Sequence, residues 1–250
     1  MTLIIILGIL GMINWWNFSW DLLWIPVFCW LIFVSLASFN IRWNFFVKSI
    51  HSGKSNGRKI ALTFDDGPHA EFTLKVLEIL EKHNAKATFF CIGKNIKNYP
   101  EVIKKISENG HLIGNHSFSH SNFIDFNGKK SWLKEIEKTD LEIEKITGKK
   151  TRFFRPPFGV TTPHLADALR KSGHTSIGWN IRTYDTVQKS PEKIVQKVLK
   201  QIKPNSIVLL HDRHEIILPI LEQLLPNLAR QNYEFVAIND LINEKPSIEN

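Results

Sequence analysis

Two neighbouring carboxylates, Asp65 and Asp66, follow an apolar segment and precede a Gly-Pro turn in the sequence TFDDGP. Adjacent carboxylates repel each other, so a nearby cation or proton is expected to relieve the repulsion. One of them can bind a metal ion while its neighbour accepts a proton. The alternative interpretation is an ordinary Asp-Gly turn, because this dipeptide is common in turns.

Two histidines, His116 and His120, are four positions apart in the sequence HSFSH. On a helical turn, two such imidazoles share a face and can bind one divalent ion. Two histidines and one carboxylate leave coordination positions open for water and substrate, as catalytic zinc sites require. The alternative is a pair of surface histidines, since the chain contains ten histidines.

Two more polar residues follow apolar segments later in the chain. Arg155 precedes a rigid Pro-Pro turn in RPPFG, where a guanidinium can hold a carboxylate in a fixed position. His211 ends the apolar segment of LLHD. A structural Pro-Pro turn and a buried capping histidine are the respective alternatives.

The elements that must position these residues alternate between strands and helices after a polar linker at 51–57. About seven such units predict a parallel sheet with helices outside it. The unusual polar residues follow the predicted strands, and the carboxyl ends of parallel strands meet at one face. The predicted strands are 59–64, 87–92, 111–115, 152–154, 175–179, 206–210 and 234–237, and the predicted helices are 73–83, 100–108, 131–146, 164–171, 191–201 and 216–230.

The first 47 residues differ in composition from the rest of the chain. Their only charged side chains are Asp21 and Arg42, and they hold six of the eight tryptophans. The 18 uncharged residues from Leu22 to Phe39 would span about 27 Å as a helix, close to a hydrocarbon core. We predict a transmembrane helix at 22–39, and a second span at 2–20 would make a helical hairpin.

A cleaved signal peptide and a buried core helix are the alternatives for this segment. Residues 35–37 match a small-residue cleavage pattern, but no basic residue precedes the apolar run. The remaining 203 residues carry the whole net charge of +8, which suits nucleic acid, anionic lipid or an anionic wall polymer. Two cysteines exclude a disulfide scaffold, and 43% hydrophobic residues exclude general disorder.

Five motifs in this order resemble those of the polysaccharide deacetylases of the NodB-homology type, carbohydrate esterase family 4. The motifs are TFDDGP (63–68), HSFSH (116–120), RPPFG (155–159), WNIRTYD (179–185) and LLHD (209–212). The resemblance implies that family's α/β fold, a distorted (β/α)7 barrel. We therefore divide the chain into a membrane anchor (1–47), a linker (48–57), a NodB-like catalytic domain (58–240) and a tail (241–250).

The resemblance also implies a cofactor, one divalent metal ion bound by Asp66, His116 and His120. Zinc suits two imidazoles and a carboxylate, and Co²⁺ or Mn²⁺ are the alternatives.

The resemblance further implies which residues move protons. Asp65 would be the general base, oriented by Arg155, and His211 would be the general acid, tuned by Asp185.

The acetyl pocket implied by the resemblance is lined by Trp179 and Leu209, and the backbone N–H of Phe158 helps to stabilise the oxyanion. The sequence departs from the family at three positions. Arg182 stands where Asp is common, Thr186 where Trp is common, and Phe158 where Tyr is frequent. We expect these changes to affect substrate preference and not the chemistry.

The sequence thus predicts a membrane-anchored, metal-dependent deacetylase of N-acetylated amino sugars in peptidoglycan or a related polysaccharide. Two alternatives stay open, namely an amidase acting on a lipid-linked sugar and an inactive carbohydrate-binding module. A glycosidase is disfavoured, because adjacent carboxylates cannot flank a glycosidic bond.

The expected partners are an N-acetylated glycan and membrane lipid, and no nucleic-acid motif accompanies the positive charge. We expect an integral protein of the cell membrane. The basic residues after the apolar run place the body in the cytoplasm by the positive-inside rule, whereas the implied function usually faces outward. Both orientations stay open, and the sequence does not define the oligomeric state.

Overall fold

The computed structural model describes residues 24–244 and residue 246. The named strands pair in parallel, in the order β1-β6-β5-β4-β3-β2-β8-β7, with β9 beside β2. The strands are β1 (Ser49–Ile50), β2 (Lys59–Asp65), β3 (Ala87–Cys91), β4 (Leu112–Asn115), β5 (Phe153–Phe154), β6 (Thr175–Ile177), β7 (Ile181–Arg182), β8 (Ile207–His211) and β9 (Glu234–Phe235). The predicted parallel α/β fold is confirmed, and the sheet curls into a half-barrel.

The central strands β2, β3 and β8 are almost entirely buried, as expected for a parallel sheet covered by helices. The α-helices are α1 (Trp24–Phe39), α2 (Phe72–Lys82), α3 (Gly93–Asn98), α4 (Pro100–Glu108), α5 (Lys129–Thr147), α6 (Pro163–Ser172), α7 (Pro191–Gln201), α8 (Ile217–Arg230) and α9 (Ile238–Ile242). Six of them, α2 and α4 to α8, lie within two residues of their predicted bounds, because their buried residues recur at helical spacing.

The register of the sheet brings distant polar residues to one face. Asp65 is the partner of His211 across β2 and β8, and both lie at the carboxyl ends of their strands. Asn115, the last residue of β4, pairs with Phe154, the residue before Arg155. The predicted meeting of the motifs at one face of the sheet therefore follows from the strand pairing.

The domain begins earlier in the chain than the predicted boundary at residue 58. Ser49–Ile50, within the predicted linker, forms β1 and pairs with β6. Ile41 and Val47, which we assigned to the anchor, are buried in the core. A strand of two residues is too short to show a sequence period, so the pattern could not reveal it.

The apolar helix α1 contains 16 residues. Within the described part of the chain, the structure has no helix that is long and apolar enough to cross a membrane. The predicted second span at 2–20, and the first two residues of the span at 22–39, lie outside the described residues.

Candidate active site and metal centre

A cavity of about 340 Å³ opens at the carboxyl ends of the strands. Eight of the ten predicted site residues line it, and the other two, Arg155 and Asp185, lie behind it in contact with Asp65 and His211. The lining residues are Asp65, Asp66, His116, His120, Asn122, Phe158, Gly159, Trp179, Arg182, Thr186, Leu209, His211 and Arg213.

Asp65 and Asp66 reach the same cavity although they are consecutive. Side chains of consecutive extended residues point to opposite sides of a strand. Asp66 has a φ of 73°, in the left-handed region, so the chain turns at once after β2. This turn brings the Asp66 carboxylate to the cavity beside Asp65.

His116 and His120 lie in an irregular loop after β4, so the predicted helical turn is wrong. Ser117 and His120 both have positive φ, at 63° and 46°. Glu135 of α5 holds the loop by accepting hydrogen bonds from the backbone N–H of Phe118 and of Ser119. The two imidazoles converge because of these tertiary contacts and not because of a helical spacing.

The structure brings Asp66, His116 and His120 together. Asp66 Oδ1 lies 3.5 Å from His116 Nε2 and 3.3 Å from His120 Nε2. His116 Nδ1 lies 2.8 Å from the carbonyl oxygen of Arg155. A carbonyl can only accept, so Nδ1 carries the proton and the lone pair of Nε2 faces Asp66. One ligand atom from each residue lies within 4.8 Å of the others, so this donor set fits a divalent ion.

The electrostatics of this cluster also suit a metal ion. Burial, together with the charge of His116, lowers the pKa of His120 to about 4. A neutral imidazole is the form that binds a metal. Burial alone would raise the pKa of Asp66, but His116 and His120, whenever they carry a second proton, outweigh burial and hold that pKa below its usual range.

Arg155 fixes the position of Asp65 from behind the cavity. Its guanidinium is fully buried and donates to Asp65 Oδ1 from Nη1 at 2.7 Å. The same group donates to Thr63 Oγ1 at 2.7 Å and to the carbonyl oxygens of Ile177 and Gly178 at 3.1 Å and 3.0 Å. Asp65 Oδ2 is left facing His116, 3.9 Å from Nε2. This oxygen is therefore not occupied by Arg155 and has a geometry that would let it accept a proton.

His211 is the strand partner of Asp65, and its side chain is held by Asp185. His211 Nδ1 lies 2.9 Å from Asp185 Oδ1, and its backbone N–H donates to Oδ2 at 2.7 Å. Burial alone would lower the pKa of His211. The hydrogen bond and charge of Asp185, with the charges of Asp65 and Asp66, outweigh burial and raise it. The imidazole is thereby suited to donate a proton at neutral pH.

Aromatic and apolar side chains form the wall of the cavity. Phe158 has a φ of 57°, and its ring lies 4.6 Å from the ring of His120. Gly159 follows with a φ of 72°, and a Cβ there would lie 2.6 Å from the Trp179 ring. Glycine is therefore required for Trp179 to line the cavity beside Leu209.

Two residues of the site were assigned no role from the sequence, although they follow His211 directly. Arg213 forms an ion pair with Asp66, with Nη1 3.2 Å from Oδ2. Asp212 is fully buried, and its Oδ2 accepts a hydrogen bond from Thr73 Oγ1. Burial raises the pKa of Asp212 to about 7. Their position after a predicted strand was the only signal available in the sequence.

The chain is similar in sequence to known polysaccharide deacetylases. The family model described as polysaccharide deacetylase matches residues 52–177. A peptidoglycan-N-acetylglucosamine deacetylase of Bacillus cereus is 34% identical over 191 residues, which are 75% of this chain and 69% of that protein. A peptidoglycan-N-acetylmuramic acid deacetylase of Bacillus subtilis is 33% identical over 201 residues, which are 79% of this chain and 76% of that protein.

The fold is also similar to that of a solved deacetylase structure. A crystal structure of a peptidoglycan N-acetylglucosamine deacetylase is similar with a TM-score of 0.75 and 32% identity, over 79% of this chain and 94% of that chain.

Proposed function

The chain belongs to the polysaccharide deacetylase family, and from this premise we propose that it is a membrane-anchored, metal-dependent deacetylase of peptidoglycan amino sugars. The observation that carries the proposal is the complete set of groups around one cavity. The same cavity is lined by a three-residue metal cluster, a carboxylate held by Arg155 and an imidazole held by Asp185. Peptidoglycan is the substrate in the names of the related enzymes.

The reaction is hydrolysis of an amide, which has a poor leaving group. The chemistry that a divalent ion supplies when bound by Asp66, His116 and His120 is Lewis acidity, and zinc is the ion that we propose. Asp65 Oδ2 accepts the proton of the attacking water. His211 donates a proton to the departing amine. The products are acetate and the free amino sugar, and no organic cofactor takes part.

The residues that the family resemblance assigns to substrate binding also line the cavity. Trp179, Leu209 and Phe158 lie on the wall of the cavity, where they would enclose the acetyl methyl group. The backbone N–H of Phe158 would donate to the developing oxyanion. An inactive carbohydrate-binding module would not need the buried Arg155–Asp65 and Asp185–His211 pairs, so we disfavour that alternative.

The rim of the cavity suits a negatively charged glycan. Arg182 and Arg213 both line the cavity. Arg182 lies over the rings of Trp179 and Tyr184. Lys197 also lies over the Tyr184 ring, with its Nζ 4.1 Å from the ring centroid. These cations favour a substrate that carries carboxylates, as the muramic acid and peptide parts of peptidoglycan do.

The anchoring part of the proposal is supported by the exposure of α1. Trp24, Phe28 and Leu31 are 66%, 64% and 58% exposed, and bulky apolar side chains are exposed around the whole helix. A helix that is apolar all round requires an apolar environment. We propose that 22–39 anchors the protein in the cell membrane.

The direct test is acetate release from peptidoglycan by the full-length protein in detergent. We expect activity that a chelator abolishes and added Zn²⁺ restores. His120→Ala should bind less zinc and lose activity, while exchange of the exposed His164 for Ala serves as a matched control. Full activity of His120→Ala after chelation would contradict the assignment of the metal site.

A further inference from the structure

The apolar helix α1 is attached to the domain beside the mouth of the cavity. The carbonyl oxygen of Ser38, near the end of α1, accepts a hydrogen bond from the backbone N–H of Thr161 at 3.0 Å. Thr161 is only two residues after Gly159, which lines the cavity. Ala37, one residue before Ser38, is fully buried. The end of the helix is therefore held by the same loop that forms the cavity wall.

A second attachment involves the next turn of the chain. Ile41 packs into the apolar cluster that contains Trp179, and Arg42 donates a hydrogen bond to the carbonyl oxygen of Asn180. Trp179 lines the cavity, and Asn180 is its neighbour in sequence. Both attachments of the helix thus reach loops that supply residues to the cavity.

The chain between α1 and β2 contributes no free spacer. A flexible spacer of ten residues, as predicted at 48–57, would reach up to about 33 Å. Instead, Ser49–Ile50 pairs with β6, Gly53 donates to the backbone of Asn205, and Lys54 donates to the backbone of Leu241. The domain is therefore held close to the end of α1 and cannot extend far from it.

Exposed aromatic side chains accompany this attachment. Phe39, Trp43 and Phe45 are 74%, 51% and 47% exposed. On the loop that follows His120, Phe123 and Phe126 are 75% and 86% exposed.

The two segments that carry these exposed rings pack into the same apolar cluster. Val47 of the first segment and Ile124 of the second both belong to it. Exposed aromatic rings beside an apolar helix are typical of a membrane–water interface.

We infer that the mouth of the cavity lies at the bilayer surface, with Phe123 and Phe126 in the lipid interface. The substrate class that fits this arrangement is an N-acetylated amino sugar carried on a lipid, in preference to wall polymer far from the membrane. This inference rests on the proposed function for its substrate, but the contact with the bilayer is independent of any activity.

The contact can be tested by fluorescence quenching on the full chain in vesicles of phosphatidylethanolamine and phosphatidylglycerol with brominated phosphatidylcholine. Cys29 of α1 is exposed and can carry the fluorophore, whereas Cys91 is fully buried, which makes it inaccessible to the label. In a Cys29→Ser background, Phe126→Cys places the label on the loop. Lys149→Cys places it near the amino ends of β4 and β5, at the opposite face.

We expect brominated lipid to quench the labels at Cys29 and at Phe126→Cys at least threefold more than the label at Lys149→Cys. Absence of quenching at Cys29 would show that α1 is not inserted and would overturn both the anchor and the inference. Quenching at Cys29 with none at Phe126→Cys would leave the anchor intact and overturn the contact of the cavity face with the bilayer.

The substrate class is tested with an N-acetylglucosamine oligomer coupled to a phospholipid in the same vesicles, and with the free oligomer. A twelve-residue Gly-Ser insertion after Phe39 should lower turnover of the lipid-coupled oligomer at least fivefold and leave turnover of the free oligomer unchanged. The same insertion after Gly148, at an exposed turn, should change neither rate.

These measurements distinguish failure of the proposed deacetylase function from failure of the proposed substrate at the membrane surface. If the wild-type protein hydrolyses neither oligomer nor peptidoglycan, the proposed function fails. If it hydrolyses the free oligomer and the insertion after Phe39 has no effect on the lipid-coupled one, only the membrane-surface substrate fails.

Discussion

The guanidinium of Arg155 and the carboxylate of Asp65 form a buried ion pair, with 2.7 Å between Nη1 and Oδ1. Such a pair is costly to break, because removal of one partner leaves the other charge buried and uncompensated. The pair also determines which oxygen of Asp65 is available for a proton. It occupies Oδ1 and leaves Oδ2 facing the metal cluster. The position of the candidate base is therefore determined by a residue that does not line the cavity.

Arg155→Lys should lower turnover on peptidoglycan without removing the metal. Lysine keeps the charge but lacks the planar donors that reach Asp65, Thr63 and two carbonyl oxygens at once. A misplaced base costs about 10²-fold in rate. Zinc content and turnover should be measured together, with the exposed Arg170→Lys as the control. Unchanged turnover in Arg155→Lys would show that the pair has only a structural role.

Asp65→Asn and Asp66→Asn should differ in effect although the residues are neighbours. Asp66 lies 3.3 Å and 3.5 Å from the two imidazoles, so Asp66→Asn should weaken zinc binding. Asp65→Asn should keep zinc and lose about 10²–10⁴-fold in rate, the usual contribution of a general base. Zinc content and acetate release of both variants check this. The opposite pattern of zinc loss would exchange the two roles.

Much of the fold could be predicted because parallel strands show long apolar runs and their helices show strong apolar spacing. The site could be located because polar residues follow those strands, and strand pairing then places Asp65 beside His211. The residues that hold the site in place were harder to predict from the sequence. Glu135 orients the loop of His116 and His120 from a helix that begins nine residues after it, and no local pattern encodes such a contact.

The family resemblance implies that Arg155 and Asp185 act as positioning residues, and the structure shows their contacts with Asp65 and His211, which no motif describes. The guanidinium is held by carbonyl oxygens of Ile177 and Gly178, more than twenty residues away. The start of the domain was also beyond sequence reasoning, because Ile41 and Val47 look like part of an apolar anchor until their packing is known.

Asp185→Asn should shift the alkaline limb of the pH profile to lower pH. The raised pKa of His211 keeps the imidazole protonated to higher pH, so its acid function is present below that pKa and is lost as pH rises through it. Removal of the Asp185 charge removes a main cause of the raised pKa of His211. The dependence of kcat/KM on pH should be compared between wild type, Asp185→Asn and the control Asp167→Asn. An unmoved alkaline limb would exclude His211 as the titrating acid.

Asp212→Asn should change how stability depends on pH. Burial raises the pKa of Asp212 from 3.8 to about 7, so the folded protein keeps a proton that the unfolded chain releases. Stability from this group is present below about pH 4 and is lost as pH rises to about 7. Asparagine does not ionise, so the variant should gain Tm relative to wild type between pH 4 and pH 7.

The measurement for Asp212→Asn is Tm against pH on chelated protein, with the exposed Asp240→Asn as the control. Asparagine can still accept the hydrogen bond from Thr73 Oγ1. A Tm difference between Asp212→Asn and wild type that is the same at pH 4 and pH 7 would show that Asp212 does not titrate in this range.

The start of the folded domain can be located by two truncations. Removal of residues 1–39 deletes α1 but keeps Ile41 and Val47, which are 4% and 6% exposed, and keeps the hydrogen bond from Arg42 to Asn180. Removal of residues 1–47 deletes all of these contacts. Each buried aliphatic side chain contributes about 1.5–3 kcal/mol, so the shorter protein should be less stable by about 3–6 kcal/mol. For a domain of this size, that corresponds to a lower Tm by on the order of 10 °C.

Both truncated proteins should bind zinc if they fold, because Asp66, His116 and His120 lie outside the deleted segments. Thermal unfolding and acetate release from soluble peptidoglycan fragments should be measured side by side, with Ile41→Ala in the longer protein as the matched variant for the lost packing. Equal Tm values for the two truncations would show that the domain begins after residue 47 and that the packing of Ile41 and Val47 contributes nothing to its stability.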